Sequence, residues 1–484
     1  MNIKNKKIKY IKHILEAYKN HKYRNAYNLL KLFEREIPDL YGNLSGDLIN
    51  SFAAVKIQYG INMCNEDIIK DGLSLIEDNW DKIKSGRVAF NIANAYSELS
   101  KHKEDYYEKI EYEYRSIYWY RIATKMEGNK AAFWVNYGNE LRKQYRFIEA
   151  LKIYDKALKI DENFGMAKVN KGELLCYLAR FFDDHQREIL LNNGYYLIKK
   201  ALKEDKENIL EFGGPRAIEY FKNVLNNYKK YAGSKEIIPE ECPNFKKIPV
   251  DYKIIEGYPE FCFENDLWLN LIGNAHKCYY NLKDLIVLPN PGKSEKRLVD
   301  SIFESYATSR FLCFYSKYKC PDILNSLTNF NNNEYSLRNG MIKAAFVRAF
   351  SVLDYIAHFI YRYFFQHDPK SNVYFWNVFK VIKEINEKRE EISKQIYETP
   401  LKAIYSLSRD FLNENDVRNA ECIDIKEAFG AFADLRKTRD NLTHSGKFFF
   451  YNELYSKTLK LLEVVRSAIF YLYNYLYYLK KKKE

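Results

Sequence analysis

Apolar residues recur at spacings of three and four along most of the chain, and the residues that would interrupt such a pattern are scarce, with 19 Gly and 11 Pro in 484 positions. That is the period of a helix with one buried face, and it predicts an all-α protein. In the second half the helical stretches fall near 298–317, 340–366, 375–396, 400–413, 425–445 and 453–480, a number and set of lengths that suit a helical bundle. The most apolar stretch, 344–365, contains Arg348, Asp354, His358 and Arg362. It therefore reads as a core helix and not as a membrane span, which needs about 18 or more nearly uncharged apolar residues.

The first half carries a longer period. Trp134, Tyr137, Gly138 and Leu141, followed by Ala150, Tyr154 and Ala157, form a unit that resembles the tetratricopeptide repeat (TPR), with Glu162 where that family usually has Pro. Such a unit is two antiparallel helices: Gly138 and Ala150 permit close approach, and Trp134, Tyr137 and Tyr154 fill the groove. Gly138 recurs as Gly172 and Ala123 as Ala157, each after 34 residues. Ala157 to Ala201 and Asn94 to Gly138 are 44 apart, so some repeats carry about ten extra residues within a hairpin. Ala26, Leu30, Phe33 and Pro38 repeat the second half of the pattern, giving four to six degenerate repeats over 1–235. A stacked array of this kind leaves a continuous groove that suits a protein or peptide partner, or is a generic scaffold without one.

Breakers concentrate after the repeats, at Gly213-Gly214-Pro215, Gly233-Ser234, Pro239, Pro243, Pro249 and Pro259, and mark a boundary. The expected organisation is a tetratricopeptide-like helical solenoid over 1–235, a connecting segment over 236–297 and a helical bundle over 298–484. Within the connection, DLIVLPNPGKS (284–294) imitates a phosphate-binding loop, but Val287 stands where its first Gly is required, which excludes that motif.

The side chains sum to +13, from 77 Lys and Arg against 64 Asp and Glu. This suits a polyanionic partner such as RNA, although Lys, Asn, Ile, Tyr and Phe are enriched together, as in any AT-rich coding sequence. The run Lys480–Lys483 reads as a solvated tail. Eight scattered Cys form no C-x-x-C pair, and the start lacks an uninterrupted apolar h-region, so reduced thiols and a cytoplasmic location are expected, with no membrane association.

No catalytic triad, nucleotide-binding glycine loop or metal-ligand pair occurs in the sequence, and no cofactor or metal is expected. What remains is an Arg followed five positions later by His, present as Arg180/His185, Arg362/His367 and Arg439/His444. The first lies beside a repeat insertion and the second precedes the helix stop Asp368-Pro369. The third falls in RDNLTH, near the end of a helix whose apolar stripe is Ala428, Ala431, Phe432, Leu435 and Leu442. Arg439 lies within that stripe, so its charge needs a partner or an interface. At 100° per residue His444 would point about 140° away, unless Ser445-Gly446 turns the chain. Both residues would also serve simply as cations at a helix C-terminus.

RDNLTH ahead of one long final helix resembles the HEPN (higher eukaryotes and prokaryotes nucleotide-binding) superfamily. Arg310 in YATSRFLCF, Arg348 to Asp354 in RAFSVLD, Phe375-Trp376-Asn377 and IYSLSRDF look like a bacterial branch that often follows tetratricopeptide repeats, over roughly 245–480. The resemblance implies a metal-independent endoribonuclease, often a toxin of abortive infection or antiviral defence, dimeric through this bundle so that two motifs face one RNA cleft. On this chain Arg439 would bind the scissile phosphate and His444 would serve in acid–base chemistry. Asp440 would orient them, with Asn441 and Asp354 in support and Arg436, Lys437 and Lys447 as cationic contacts to RNA. RNA supplies its own 2′-hydroxyl nucleophile, so a cationic clamp and an imidazole suffice without metal. The competing readings are a catalytically silent scaffold binding protein or RNA, and a nucleotide-binding module.

Overall fold

The computed structural model describes residues 3–37, 41, 44–182, 184–232, 255–275, 284–289, 293–320, 336–369, 372–385, 389–412, 430–445 and 449–483, and among these every regular element is helical. The chain divides into two compact units, one built on residues up to Glu140 and the other on residues from Leu141 onward.

In the first unit consecutive helices pair: Ile3–Lys19 with Tyr23–Glu36, Gly46–Met63 with Glu66–Glu77, and Gly86–Leu99 with Tyr106–Met126. The repeat pattern explains the pairing, since Ala26, Leu30 and Phe33 lie on one face and are wholly buried. Pro38 lies outside the described residues. Helix starts are fixed by side-chain caps: Asn65 accepts from the Ile68 amide at 3.0 Å, Ser85 from Val88 at 3.3 Å and Asp105 from Glu108 at 2.8 Å.

The stretched repeats have a simple cause. In the plain unit the second helix, Phe147–Ile160, has 14 residues, with Ala150, Tyr154 and Ala157 fully buried. In each of the two 44-residue intervals a three-residue 3₁₀ turn, Ser100–His102 or Ala179–Phe181, precedes a second helix of 21 residues, Tyr106–Met126 or Asp184–Glu204. Seven additional helical residues and the turn account for the extra length.

In the second unit, Gly172 and Gly194 let their helices touch backbone to backbone: a Cβ on Gly194 would fall 2.5 Å from the Gly172 carbonyl. The predicted break at Gly213-Gly214-Pro215 only kinks the helix Lys206–Lys229. Gly214 takes a left-handed φ of 71°, after which Ile218, Phe221 and Val224 return to the core shared with Ile209. Pro215 starts the second stretch, where its missing amide is not needed.

The rest of this unit is a bundle. The long helix Leu337–Phe365 packs against Lys293–Tyr318 and against the final helix Tyr451–Lys483. By length and composition it could cross a membrane, but 61% of its apolar window is buried within the protein. Two buried arginines hold the connecting segment onto the bundle. Arg466 donates to the carbonyls of Trp268 and Asn270 at 2.8 and 2.7 Å, and Arg310 donates to Asp284 and to the Leu267 carbonyl while its guanidinium lies 4.6 Å from the Trp268 ring centre. The last repeats dock on the same bundle: the Tyr473 hydroxyl donates to the Phe181 carbonyl, and Phe182 stacks on Tyr473.

Two predicted bundle helices are corrected. The stretch 375–396 is a turn at Tyr374–Asn377 followed by two short helices, Val378–Ile385 and Arg389–Glu398, because the Asn377 side chain accepts from the Tyr374 amide at 2.7 Å and folds the chain back. Within the stretch 425–445 the described residues 430–432 are not helical, and the helix begins at Ala433. Gly430, at φ 79°, packs against the Leu412 carbonyl, and the Phe432 amide donates to the Asp410 carbonyl at 2.8 Å; Ala428 lies outside the described residues.

Candidate active site

The motif occupies the helix Ala433–Asp440 and a π-helical turn, Asn441–Ser445, that continues it. Leu435 and Thr438 are the buried anchors. Lys457 of the final helix secures the first turns, bonding to Asp434 at 3.2 Å and to the Thr438 hydroxyl at 3.1 Å. Bonding from i to i+5 widens the turn, so each residue rotates the chain by less than an α-helical step, and the separation of about 140° expected between Arg439 and His444 shrinks. Gly446, the other residue expected to turn the chain, lies outside the described residues. The Thr443 hydroxyl donates to the Arg439 carbonyl at 2.9 Å, covering a backbone acceptor in that turn.

Arg439 resolves its own electrostatic problem inside the bundle. Its guanidinium is 3.7 Å from Asp354 on the long helix and 3.1 Å from Asp440, and it lies 5.2 to 5.7 Å from the ring centres of Tyr374, Phe350 and Trp376. Its side chain remains 17% exposed. The expectation of an apolar stripe position is thus modified, because the surrounding surface is aromatic and acidic, and such rings attract a cation.

Asp354 is squeezed between opposing effects. Burial pushes its carboxyl up to about 6, against the pull of Arg439 and of the Phe375 amide, with Asp440 adding a smaller push upward. The Phe375 amide donates to it at 3.3 Å. Tyr374 and Trp376 project from the same turn and stack on one another, ring centres 4.6 Å apart. Arg436 covers Trp376 at 4.2 Å, giving the surface a second guanidinium.

Thus Arg439, Asp440, Asp354 and Arg436 come together. His444 is exposed one turn on, and no hydrogen bond or ion pair joins it to Arg439 among the described residues. Asn441 is half-buried, Lys437 is exposed, and Lys447 lies outside the described residues. The sequence reading missed Phe350, Tyr374 and Trp376 as the floor of the site. Their signal was the run Tyr374-Phe375-Trp376, in which only the middle ring is buried. The arginines of the other two matches have polar partners of their own: Arg180 donates to the Tyr228 hydroxyl at 3.0 Å, and Arg362 pairs with Asp368 at 3.2 Å. Among the described residues no group of three His, Cys, Asp or Glu side chains is placed to hold a metal ion.

A helical bundle with an Arg/His motif at a helix end, closed by one long helix, is the arrangement of a HEPN domain. Residues 292–478 match the family described as LA2681-like HEPN, so the second half of this chain carries a LA2681-like HEPN domain. HEPN is a family of ribonucleases, whose domains act on RNA. A solved thermophilic TPR protein from Thermus thermophilus is similar at 13% identity and a TM-score of 0.35, covering 45% of this chain and 98% of its own. No curated protein matches the chain significantly.

Proposed function

We propose that this protein is a metal-independent endoribonuclease whose repeats recruit or sense a protein or peptide partner, acting in the cytoplasm as a toxin of the abortive-infection type. The observation that carries the reading is the partly exposed Arg439, held between two carboxylates on an aromatic floor, beside the widened turn that bears His444. In this mechanism Arg439 clamps the scissile phosphate and offsets the charge that develops on it as the RNA 2′-hydroxyl attacks phosphorus. His444 moves a proton between the attacking and leaving oxygens. Asp440 and Asp354 hold the guanidinium until phosphate competes for it, with Asn441 in support, and Arg436, Lys437 and Lys447 contact the flanking backbone.

The test is incubation of purified protein with mixed RNA, with and without chelator, followed by end-group analysis. Cleavage is expected to persist in chelator and to leave a 2′,3′-cyclic phosphate and a 5′-hydroxyl. Arg439→Ala and His444→Ala should each lower it by ~100-fold or more. Dependence on magnesium, or cutting at a 2′-deoxy position, overturns the mechanism. The two carboxylates already on Arg439 favour one alternative, a silent scaffold that binds protein or RNA; in that case wild type and both variants leave the RNA intact.

A further inference from the structure

Residues 410–412, at the end of the helix Leu401–Arg409, touch both the repeats and the motif helix. The Asp410 side chain belongs to the repeat side: its Oδ2 lies 2.6 Å from Arg146 Nη2, with the two side chains 0% and 1% exposed. Arg146 is the N-cap residue of Phe147–Ile160, the second helix of the best-formed repeat; it pairs with Glu149 of that helix at 2.5 Å, and its Nη1 donates to the Ser406 hydroxyl at 3.3 Å. The backbone of residues 410–412 belongs to the motif side. The Asp410 carbonyl accepts from the Phe432 amide at 2.8 Å, the Phe411 carbonyl accepts from Arg436 at 3.4 Å, and the Leu412 carbonyl abuts Gly430.

The Phe411 ring completes the connection. Its centre lies 5.8 Å from Phe350, 5.6 Å from Phe375 and 5.4 Å from Phe432. Phe350 underlies Arg439, and Phe375 donates its amide to Asp354. A displacement of Asp410 therefore reaches both the helix that carries Arg439 and the carboxylate that holds it. A guanidinium without access to water keeps its carboxylate, because separating the charges in that environment is costly. The pair thus moves as one body.

We infer that Arg146 is a positioning residue of the RNA-cleaving site, coupling the repeat helix Phe147–Ile160 to the motif helix through Asp410. This rests on the ribonuclease reading above. It adds a route by which a partner seated on the repeats would alter the placement of Arg439 without touching it.

The test uses the full chain and two independent readouts, amide hydrogen exchange across 433–445 and cleavage kinetics on a short RNA. Arg146→Met should speed exchange in that segment by ~10-fold while residues 302–314 of the helix Lys293–Tyr318, which has its own buried core, stay protected, and should lower kcat by ~10-fold with KM nearly unchanged. Arg146→Lys, which keeps the charge, should restore part of both. Should Arg146→Met fail to fold, Asp410→Asn, which keeps the side-chain shape, carries the same expectations, and if neither folds Arg146→Lys should show smaller changes in the same direction, still confined to 433–445. Unchanged exchange at 433–445 in a folded variant, a rise spread evenly over the unit, or an unaltered kcat would each overturn the inference. If wild type cleaves no RNA yet exchange responds as expected, the ribonuclease reading fails and the coupling stands.

Discussion

Asp354 sits where burial and a guanidinium pull in opposite directions, and burial prevails: its carboxyl titrates at about 6 in the folded protein, against 3.8 in the unfolded chain. Between those values the native state holds a proton that the unfolded chain has released. Stability from this group is therefore greatest below pH 3.8 and falls as pH rises through about 6, by about 3 kcal/mol at most. Asp354→Asn should remove that slope, so urea midpoints of the two proteins should diverge in favour of the variant between pH 4 and 7. Protonation also releases Arg439 from one of its two carboxylates. Affinity of the wild type for RNA should rise from pH 7 to 5.5 more steeply than that of Asp354→Asn, measured by fluorescence anisotropy; parallel curves would show that Asp354 does not gate the guanidinium.

At the scale of elements the informative contacts are those that override local preference. Gly430→Ala should cost ~2–4 kcal/mol, since the new Cβ would lie 2.1 Å from the Leu412 carbonyl and the backbone there is left-handed. Thermal denaturation would report the loss, and an unchanged midpoint would mean that the turn does not set the start of the motif helix. The repeats were legible because each helix is specified by its own apolar positions: Leu30, Phe33, Tyr154 and Ala157 are buried as their spacing demands. The stripe drawn through Ala428, Ala431 and Phe432 obeyed the same period, yet the chain is not helical at Ala431 and Phe432, because Asp410 and Leu412, some twenty residues away, take the backbone bonds and space that a helix would use. Arg439 and His444 stood out by type and spacing. Their surroundings did not, since Asp354 is 85 positions from Arg439 and the π turn leaves no mark in residue propensity.

For the molecule as a whole, a sparse site built on one arginine and one exposed histidine gains most from a second copy. Association through the bundle about a twofold axis would place two motifs in one cleft. Light scattering should give a dimer, and specific activity should fall on dilution through its dissociation constant. A monomer that cleaves at constant specific activity across micromolar concentrations would overturn this. The net charge of +13 adds that RNA affinity should weaken steeply with salt, as each phosphate contact releases counterions.

Lys457 grips the motif helix from a helix that comes later in the chain, and this orders events during synthesis. The first unit can close on its own local pairs once Glu140 has left the ribosome, whereas the motif lacks its clamp until the helix beginning at Tyr451 emerges. At ~5–20 residues per second the interval is roughly 15–60 s. During it a nascent chain would carry paired N-terminal helices while its RDNLTH segment has no finished seat, so whatever this segment does would begin only when most of the chain exists.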